Sequence, residues 1–187
     1  MNDHFVFDAT PFYFLRHGET LETEKGILQG QSESELSDKG LETAEAAAAR
    51  LAAVPLRSIY ASPLMRTWQT ASIVSASAGI AVQPLPGLME RNWGIYEGRP
   101  TSERPKSPDP ESVETMADFS NRILSAMRSI SGPAPVLIVS HSGVFRVLAR
   151  HAGLSIGDST RVGSAQPLLL DPSRRQGSGW RISEVYG

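Results

Sequence analysis

The chain contains no cysteine, which removes disulfides, thiolate metal sites and a cysteine nucleophile together. Nucleophilic chemistry would fall to histidine, serine or a carboxylate. Nor does one sign of charge dominate. The 18 Lys and Arg stand against 20 Asp and Glu, so no global field draws the protein to nucleic acid or to an acidic membrane surface. Anion binding must come from local arrangement. No apolar run is long enough to cross a bilayer, and Met1-Asn2-Asp3-His4 opens without a basic segment followed by an apolar core. The cytoplasm is the expected compartment, with neither nucleic acid nor membrane as partner. Internal repeats at solenoid spacing are also absent, as is low-complexity sequence beyond the alanine-rich stretch near Ala46.

What is present is hydrophobic content of 40% over 187 residues, enough for one domain with a sizeable core, spanning 1–187. The run Phe12-Tyr13-Phe14-Leu15 has the look of a strand covered on both faces, and it ends in Arg16-His17-Gly18. A polar loop follows to Leu36, long enough to be functional. Ser37 caps a helix with Leu41, Ala44, Ala47, Ala48 and Leu51 on its apolar side. A second strand covers 58–61, and Ser62-Pro63 opens a helix that carries Arg66 in its first turn and stops at Gly79. A third strand is expected over 80–85.

The stretch from Pro84 to Pro110 is rich in proline and glycine and reads as an excursion over the sheet edge. A helix resumes near Glu111, with Val113, Met116, Phe119, Ile123, Leu124 and Met127 as its buried stripe, and Gly132-Pro133 closes it. Pro135-Val136-Leu137-Ile138-Val139-Ser140 is the strongest strand in the sequence and runs into His141-Ser142-Gly143 before another helix. Two final strands, at 168–170 and 180–185, flank a turn-rich segment from Asp171 to Gly179. Strand–helix alternation of this kind predicts a doubly wound α/β fold.

Two apolar strands thus each end in a histidine, at the carboxyl edge where open α/β sheets bind ligands. His17 and His141 are expected to face each other across one crevice. Arg16 adds a forked cation, and Arg66 comes from a helix N-terminus that already favours an anion. Two histidines, two arginines and two helix N-termini suit a phosphate dianion better than a carboxylate, because guanidinium groups match phosphate bidentately. His4 and His151 need no functional role, the second lying late in a helix where the dipole favours it. Trp68, Trp93 and Trp180 are expected to pack, and Glu19 to fix the loop as a hydrogen-bond acceptor.

Five segments in order carry a family resemblance. They are Leu15-Arg16-His17-Gly18-Glu19-Thr20; Gln29-Gly30 with Leu36-Ser37 and Gly40; Ser62-Pro63-Leu64-Met65-Arg66-Thr67-Trp68-Gln69-Thr70-Ala71; Glu90-Arg91-Asn92-Trp93-Gly94 with Glu97-Gly98; and Val139-Ser140-His141-Ser142-Gly143. Together they resemble the histidine phosphatase superfamily, the phosphoglycerate mutase-like proteins. That resemblance implies a single three-layer α/β/α domain with a mostly parallel sheet of about six strands. It implies His17 as a nucleophile forming a phosphohistidine, with Arg16, Arg66 and His141 clamping the phosphate. Glu90 would protonate the leaving alkoxide and then act as base for water. Thr23, Gln29, Gly30 and Ser142 join the substrate-binding set, and no metal or organic cofactor is implied.

Three positions depart from the family pattern: Thr23 and Ser164 stand where asparagine is common, and Ser142 where glycine is frequent. The expected activity is phosphomonoester hydrolysis on a small phosphorylated metabolite or a phosphoprotein. Two rivals remain, mutase-type phosphoryl transfer and a non-catalytic module that binds a phospho-ligand. Binding alone would need neither nucleophile nor acid. The short distance from Glu90 to His141 favours water as acceptor. The sequence leaves the oligomeric state open.

Overall fold

The computed structural model describes residues 4–105, 110–154, 162–176 and 179–186. Six strands, β1 (Phe12–Arg16), β2 (Ser58–Ala61), β3 (Val82–Pro84), β4 (Val136–Ser140), β5 (Pro167–Gln176) and β6 (Gly179–Glu184), form one sheet in the order β3-β2-β4-β1-β5-β6. The first four are mutually parallel, whereas β5 runs antiparallel to β1 and β6 antiparallel to β5. The helices are α1 (Leu21–Glu24), α2 (Asp38–Leu51), α3 (Met65–Ala78), α4 (Met116–Ser129) and α5 (Ser142–His151).

Period-two alternation within doubly covered strands builds the layers. Phe12, Phe14, Val136 and Ile138 point to one face, where Phe119, Ile123 and Met127 of α4 and Phe145 and Leu148 of α5 meet them. Leu15, Ile59, Leu137 and Val139 point to the other, against Ala47 and Leu51 of α2 and Ala71 and Val74 of α3. Each large side chain so buried contributes about 1.5–3 kcal/mol relative to exposure. The result is a three-layer α/β/α arrangement. β1 and β4 lie side by side at its centre, with Arg16 opposite Ser140 in register. That register sets the two following residues, His17 and His141, at the same sheet edge.

Several boundaries differ from the sequence reading. The loop after β1 contains the short α1, capped by Thr20, whose hydroxyl accepts the Thr23 N–H at 3.1 Å. Ser62-Pro63 does not start α3. That helix begins at Met65, whose N–H donates to Glu33 Oε2 at 2.7 Å, while the Ser62 hydroxyl is engaged by His141. β3 is confined to Val82–Pro84. The helix expected from Glu111 starts at Met116 because Thr115 caps it by accepting the Asp118 N–H at 3.0 Å. Val113 therefore precedes the helix and packs with Leu28 and Trp93, and Met116, expected inside, is 37% exposed.

The supposed turn from Asp171 is strand, since β5 continues to Gln176 with an irregularity in its pairing to β6. Trp93 and Trp180 are buried, but Trp68, expected to pack, is 36% exposed. The excursion after β3 folds into three single-turn 3-10 helices at 86–88, 94–96 and 101–103. Residues 106–109 of that excursion lie outside the described set. Among the described residues no helix is long and apolar enough to cross a membrane.

Candidate active site

A cavity of about 880 Å³ opens over the carboxyl ends of β1 and β4. Arg16, His17, Thr23, Gln29, Gly30 and Arg66 line it, as do Glu90 and Ser142. His141 is wholly buried beside His17, their ring centroids 5.2 Å apart. The structure therefore brings every sequence-predicted site residue to one place.

His17 is held in a defined tautomer. Its Nδ1 lies 2.7 Å from the Gly18 carbonyl, and a carbonyl only accepts, so Nδ1 carries the proton and Nε2 keeps its lone pair. Thr70 fixes the preceding peptide by accepting the Gly18 N–H at 3.1 Å. Burial, reinforced by the Arg66 and Arg16 guanidinium groups, pushes the His17 pKa well below the usual imidazole value. The ring is neutral at physiological pH. The loop that carries it packs backbone against backbone on the start of α2. A Cβ on Gly18 would strike the Gly40 carbonyl, and one on Gly40 the Glu19 carbonyl.

His141 is oriented from the opposite ring nitrogen, with Nε2 2.9 Å from the Ser62 hydroxyl. Its Nδ1 is buried with no hydrogen-bond partner. A hydroxyl can donate to Nε2 or accept from it, and the tautomer that presents Nδ1–H to a ligand is the one in which Ser62 donates. Burial first, then Arg66, His17 and Arg16, hold its pKa well below the ordinary value too. Ser62 was missed as a functional residue in the sequence reading because Ser-Pro before a helix has a sufficient explanation as a cap.

Arg66 is 1% exposed. Its Nη1 donates to the Ser32 carbonyl at 2.9 Å and its Nη2 to that of Gly30 at 2.7 Å, while Nε has no partner. Arg16 donates from Nη1 to the Val162 carbonyl at 3.2 Å and likewise keeps Nε unpartnered. Burial presses the pKa of both down, opposed chiefly by Glu90. Gln29 is largely used within its loop. Its Nε2 donates to Thr20 Oγ1 at 2.7 Å and Thr23 Oγ1 at 2.8 Å, and its Oε1 accepts from Ser34. Thr23 is thereby fixed at the cavity wall.

Glu90 reaches the site from the excursion and caps α5, a helix whose N-cap residue His141 supplies no side-chain hydrogen bond. Its Oε2 accepts the Gly143 N–H at 3.0 Å and its Oε1 the Arg91 N–H at 2.9 Å. A Cβ at Gly143 would collide with that carboxylate. Behind Glu90, Arg122 of α4 donates to the carbonyls of Gly87 at 3.0 Å, Met89 at 2.9 Å and Glu90 at 3.3 Å. Arg122 also pairs with Glu114, Nε to Oε1 at 2.9 Å and Nη2 to Oε2 at 2.8 Å. Four of the described cavity-lining arginines, Arg91, Arg104, Arg146 and Arg150, had no assigned role in the sequence reading. Among the described residues, no three His, Asp or Glu side chains are grouped so as to hold a metal ion.

A neutral imidazole at a strand end, backed by a second histidine and flanked by the guanidinium groups of Arg16 and Arg66, makes a pocket suited to an anionic group. The chain belongs to the histidine phosphatase superfamily (branch 1), whose family model matches residues 12–183. Among its curated relatives, the "Probable phosphoglycerate mutase GpmB" of Erwinia tasmaniensis is 33% identical over 153 residues, 73% of this chain and 71% of the relative. The protein of the same name from Yersinia pestis is 30% identical over 146 residues, covering 69% and 68%.

Solved structures agree in fold. The alpha-ribazole phosphatase from Shigella flexneri superimposes with a TM-score of 0.76 at 23% identity, over 95% of this chain and 96% of that one. TTHB049 from Thermus thermophilus gives a TM-score of 0.75 at 22% identity, over 95% and 99%.

Proposed function

We propose that this protein is a phosphomonoester hydrolase that works through a phosphohistidine on His17, acting in the cytoplasm on a small phosphorylated metabolite or a phosphoprotein. The observation that carries this reading is the His17 tautomer. Nδ1–H is committed to Gly18, so Nε2 presents a neutral lone pair beside two guanidinium groups.

In the first step Nε2 attacks phosphorus and the ester P–O bond breaks. Glu90 delivers a proton to the departing alkoxide oxygen. Arg16, Arg66, the His141 Nδ1–H and the N-terminus of α5 stabilise the charge on the transferring group, and such preorganised donors are often the largest single term in catalysis. In the second step Glu90 takes a proton from water, whose oxygen attacks phosphorus. The P–N bond breaks and its electron pair returns to Nε2. The scheme calls for no metal or organic cofactor.

Release of nitrophenol from p-nitrophenyl phosphate in the presence of EDTA tests the proposal, with wild type set against His17→Ala. Wild-type turnover with phosphate recovered on His17 after quenching is expected, and equal background release by both proteins would remove the hydrolase reading. The name of the curated relatives supports a second reading, return of the phosphoryl group to another hydroxyl of the substrate. Partition of labelled phosphate between water and an added acceptor alcohol separates the two.

A further inference from the structure

Arg66 and Glu90 come to the site from distant parts of the chain, yet the segments that hold them are tied to one carboxylate outside the cavity. Glu97 follows the 3-10 turn at 94–96 and is not among the residues that line the cavity. Its Oε1 accepts two backbone N–H groups, from Gln31 in the loop after β1 and from Trp93 in the excursion, each at 2.9 Å. The two segments are laced together around it. The Leu28 N–H donates to the Arg99 carbonyl at 2.8 Å, the Gly98 N–H to that of Leu28 at 2.9 Å and the Thr101 N–H to that of Gly26 at 2.7 Å. Leu28, Trp93 and Val113 close the joint with an apolar cluster.

The Gln31 N–H and the Gly30 carbonyl belong to one peptide unit. Its carbonyl accepts from Arg66 Nη2 at 2.7 Å, so two hydrogen bonds in series run from the Glu97 carboxylate, through a single peptide, to the guanidinium. Each bond in such a series polarises the next. Gly30 has φ +54°, and a Cβ there would overlap the Glu97 carboxylate, so the close approach is built into the loop. Gln31 extends the tie to the acid, its Nε2 donating to the Glu90 carbonyl at 3.0 Å. Burial lowers the Arg66 pKa, opposed by Glu90, then Glu33, then Glu97.

We propose that Glu97 is a positioning residue for the phosphate site, holding the peptide between Gly30 and Gln31 so that the Arg66 guanidinium keeps one orientation, and holding the Trp93 end of the segment that carries Glu90. The role rests on the phosphate site of the hydrolase reading, but not on turnover. A preorganised donor stabilises an anion through fixed geometry, and loosening it weakens binding. Coulomb's law alone forecasts the opposite, since removing a carboxylate near an anion site should tighten anion binding.

Titration calorimetry with inorganic phosphate separates the two. Glu97→Ala, and Glu97→Asp, which keeps the charge but is a methylene too short, are expected to bind phosphate about tenfold more weakly than the wild type, the scale of a lost charge-assisted hydrogen bond. Glu97→Gln, whose amide oxygen can accept the same two N–H groups, should stay within about threefold of the wild type. Glu103→Ala, an exposed position in the same excursion, should stay within about twofold. Circular dichroism and thermal melting establish that the variants are folded, and Glu97→Asp, the milder change, carries the test where alanine does not fold. In heteronuclear NMR the Gln31 amide proton and the Arg66 Nη2 protons should move upfield together in Glu97→Asp, a coupling that lost stability alone would not produce. Unchanged or tighter phosphate binding by the folded alanine and aspartate variants overturns the positioning role, as does a Glu97→Gln protein no better than alanine, or a Gln31 shift that Arg66 does not follow. Those results leave the hydrolase reading intact. A wild type that neither binds phosphate nor turns over p-nitrophenyl phosphate removes both.

Discussion

Substituting Gly143 by alanine isolates the contribution of Glu90 without touching its side chain. The new Cβ would overlap Glu90 Oε1, so the carboxylate has to leave the N-terminus of α5 and give up the bond from the Gly143 N–H at 3.0 Å. Alanine in place of glycine in a helix gains up to about 1 kcal/mol of propensity. The lost charge-assisted bond is worth roughly 1.5–3 kcal/mol. The net destabilisation is therefore about 1 kcal/mol, a fall in Tm of about 2–4 °C for a chain of this size. The variant should fold.

Its chemistry should change far more, and selectively. A general acid contributes about 10²–10⁴-fold where the leaving group needs a proton. Alkyl phosphates, which leave as alkoxides, should lose that factor in kcat/KM. Phosphorylation by p-nitrophenyl phosphate, whose nitrophenolate leaves as a stable anion, should be almost unaffected. Because Glu90 is also the proposed base for water, the second step slows for every substrate. Stopped-flow traces with p-nitrophenyl phosphate should then show a burst of nitrophenol equal to the enzyme concentration. Equal losses for alkyl and nitrophenyl substrates in the burst phase would refute the role given to Glu90.

Three further outcomes follow from the same geometry. His17 and His141 have folded-state pKa values pushed below the ordinary imidazole value of 6.5 by burial and neighbouring arginines, so as pH falls through 6.5 the unfolded chain binds protons that the folded one does not. Their contribution to stability is complete above 6.5 and declines as pH drops toward the lower folded value, and thermal melts of His17→Gln/His141→Gln should lose this slope. Ser62→Ala removes the partner that keeps the His141 proton on Nδ1; kcat should fall about tenfold or more, and nitrogen NMR of the His141 ring should show mixed tautomers. Arg122→Met releases the carbonyls of Gly87, Met89 and Glu90, with a destabilisation of about 2–3 kcal/mol and a kcat loss for alkyl phosphates larger than for nitrophenyl phosphate.

The parts of this site that the residue pattern discloses without the family resemblance share one property, in that each is a local consequence of a strand or helix ending. An apolar run stops where the sheet edge meets the ligand, so Arg16-His17 and Ser140-His141 announce themselves, and the β1–β4 register then forces the two rings together. Tertiary partnerships carry no such signal. Glu90 caps a helix that begins more than fifty residues later, and Glu33 caps α3 from outside it, which is why Ser62 could be mistaken for the cap. The row Ser142, Arg146 and Arg150 on α5 is an intermediate case. Its i, i+4 spacing was visible, but that spacing alone fits a solvated helix face equally well. What distinguishes the two is the direction in which α5 is rolled. Val144, Val147 and Leu148 are committed to the core, which carries Ser142 and Arg146 to the cavity side, while Arg150 at the far end is exposed. The roll of α5 is therefore legible only once the apolar residues between Ser142 and Arg150 are known to be buried, and in this protein they are buried to 4% or less.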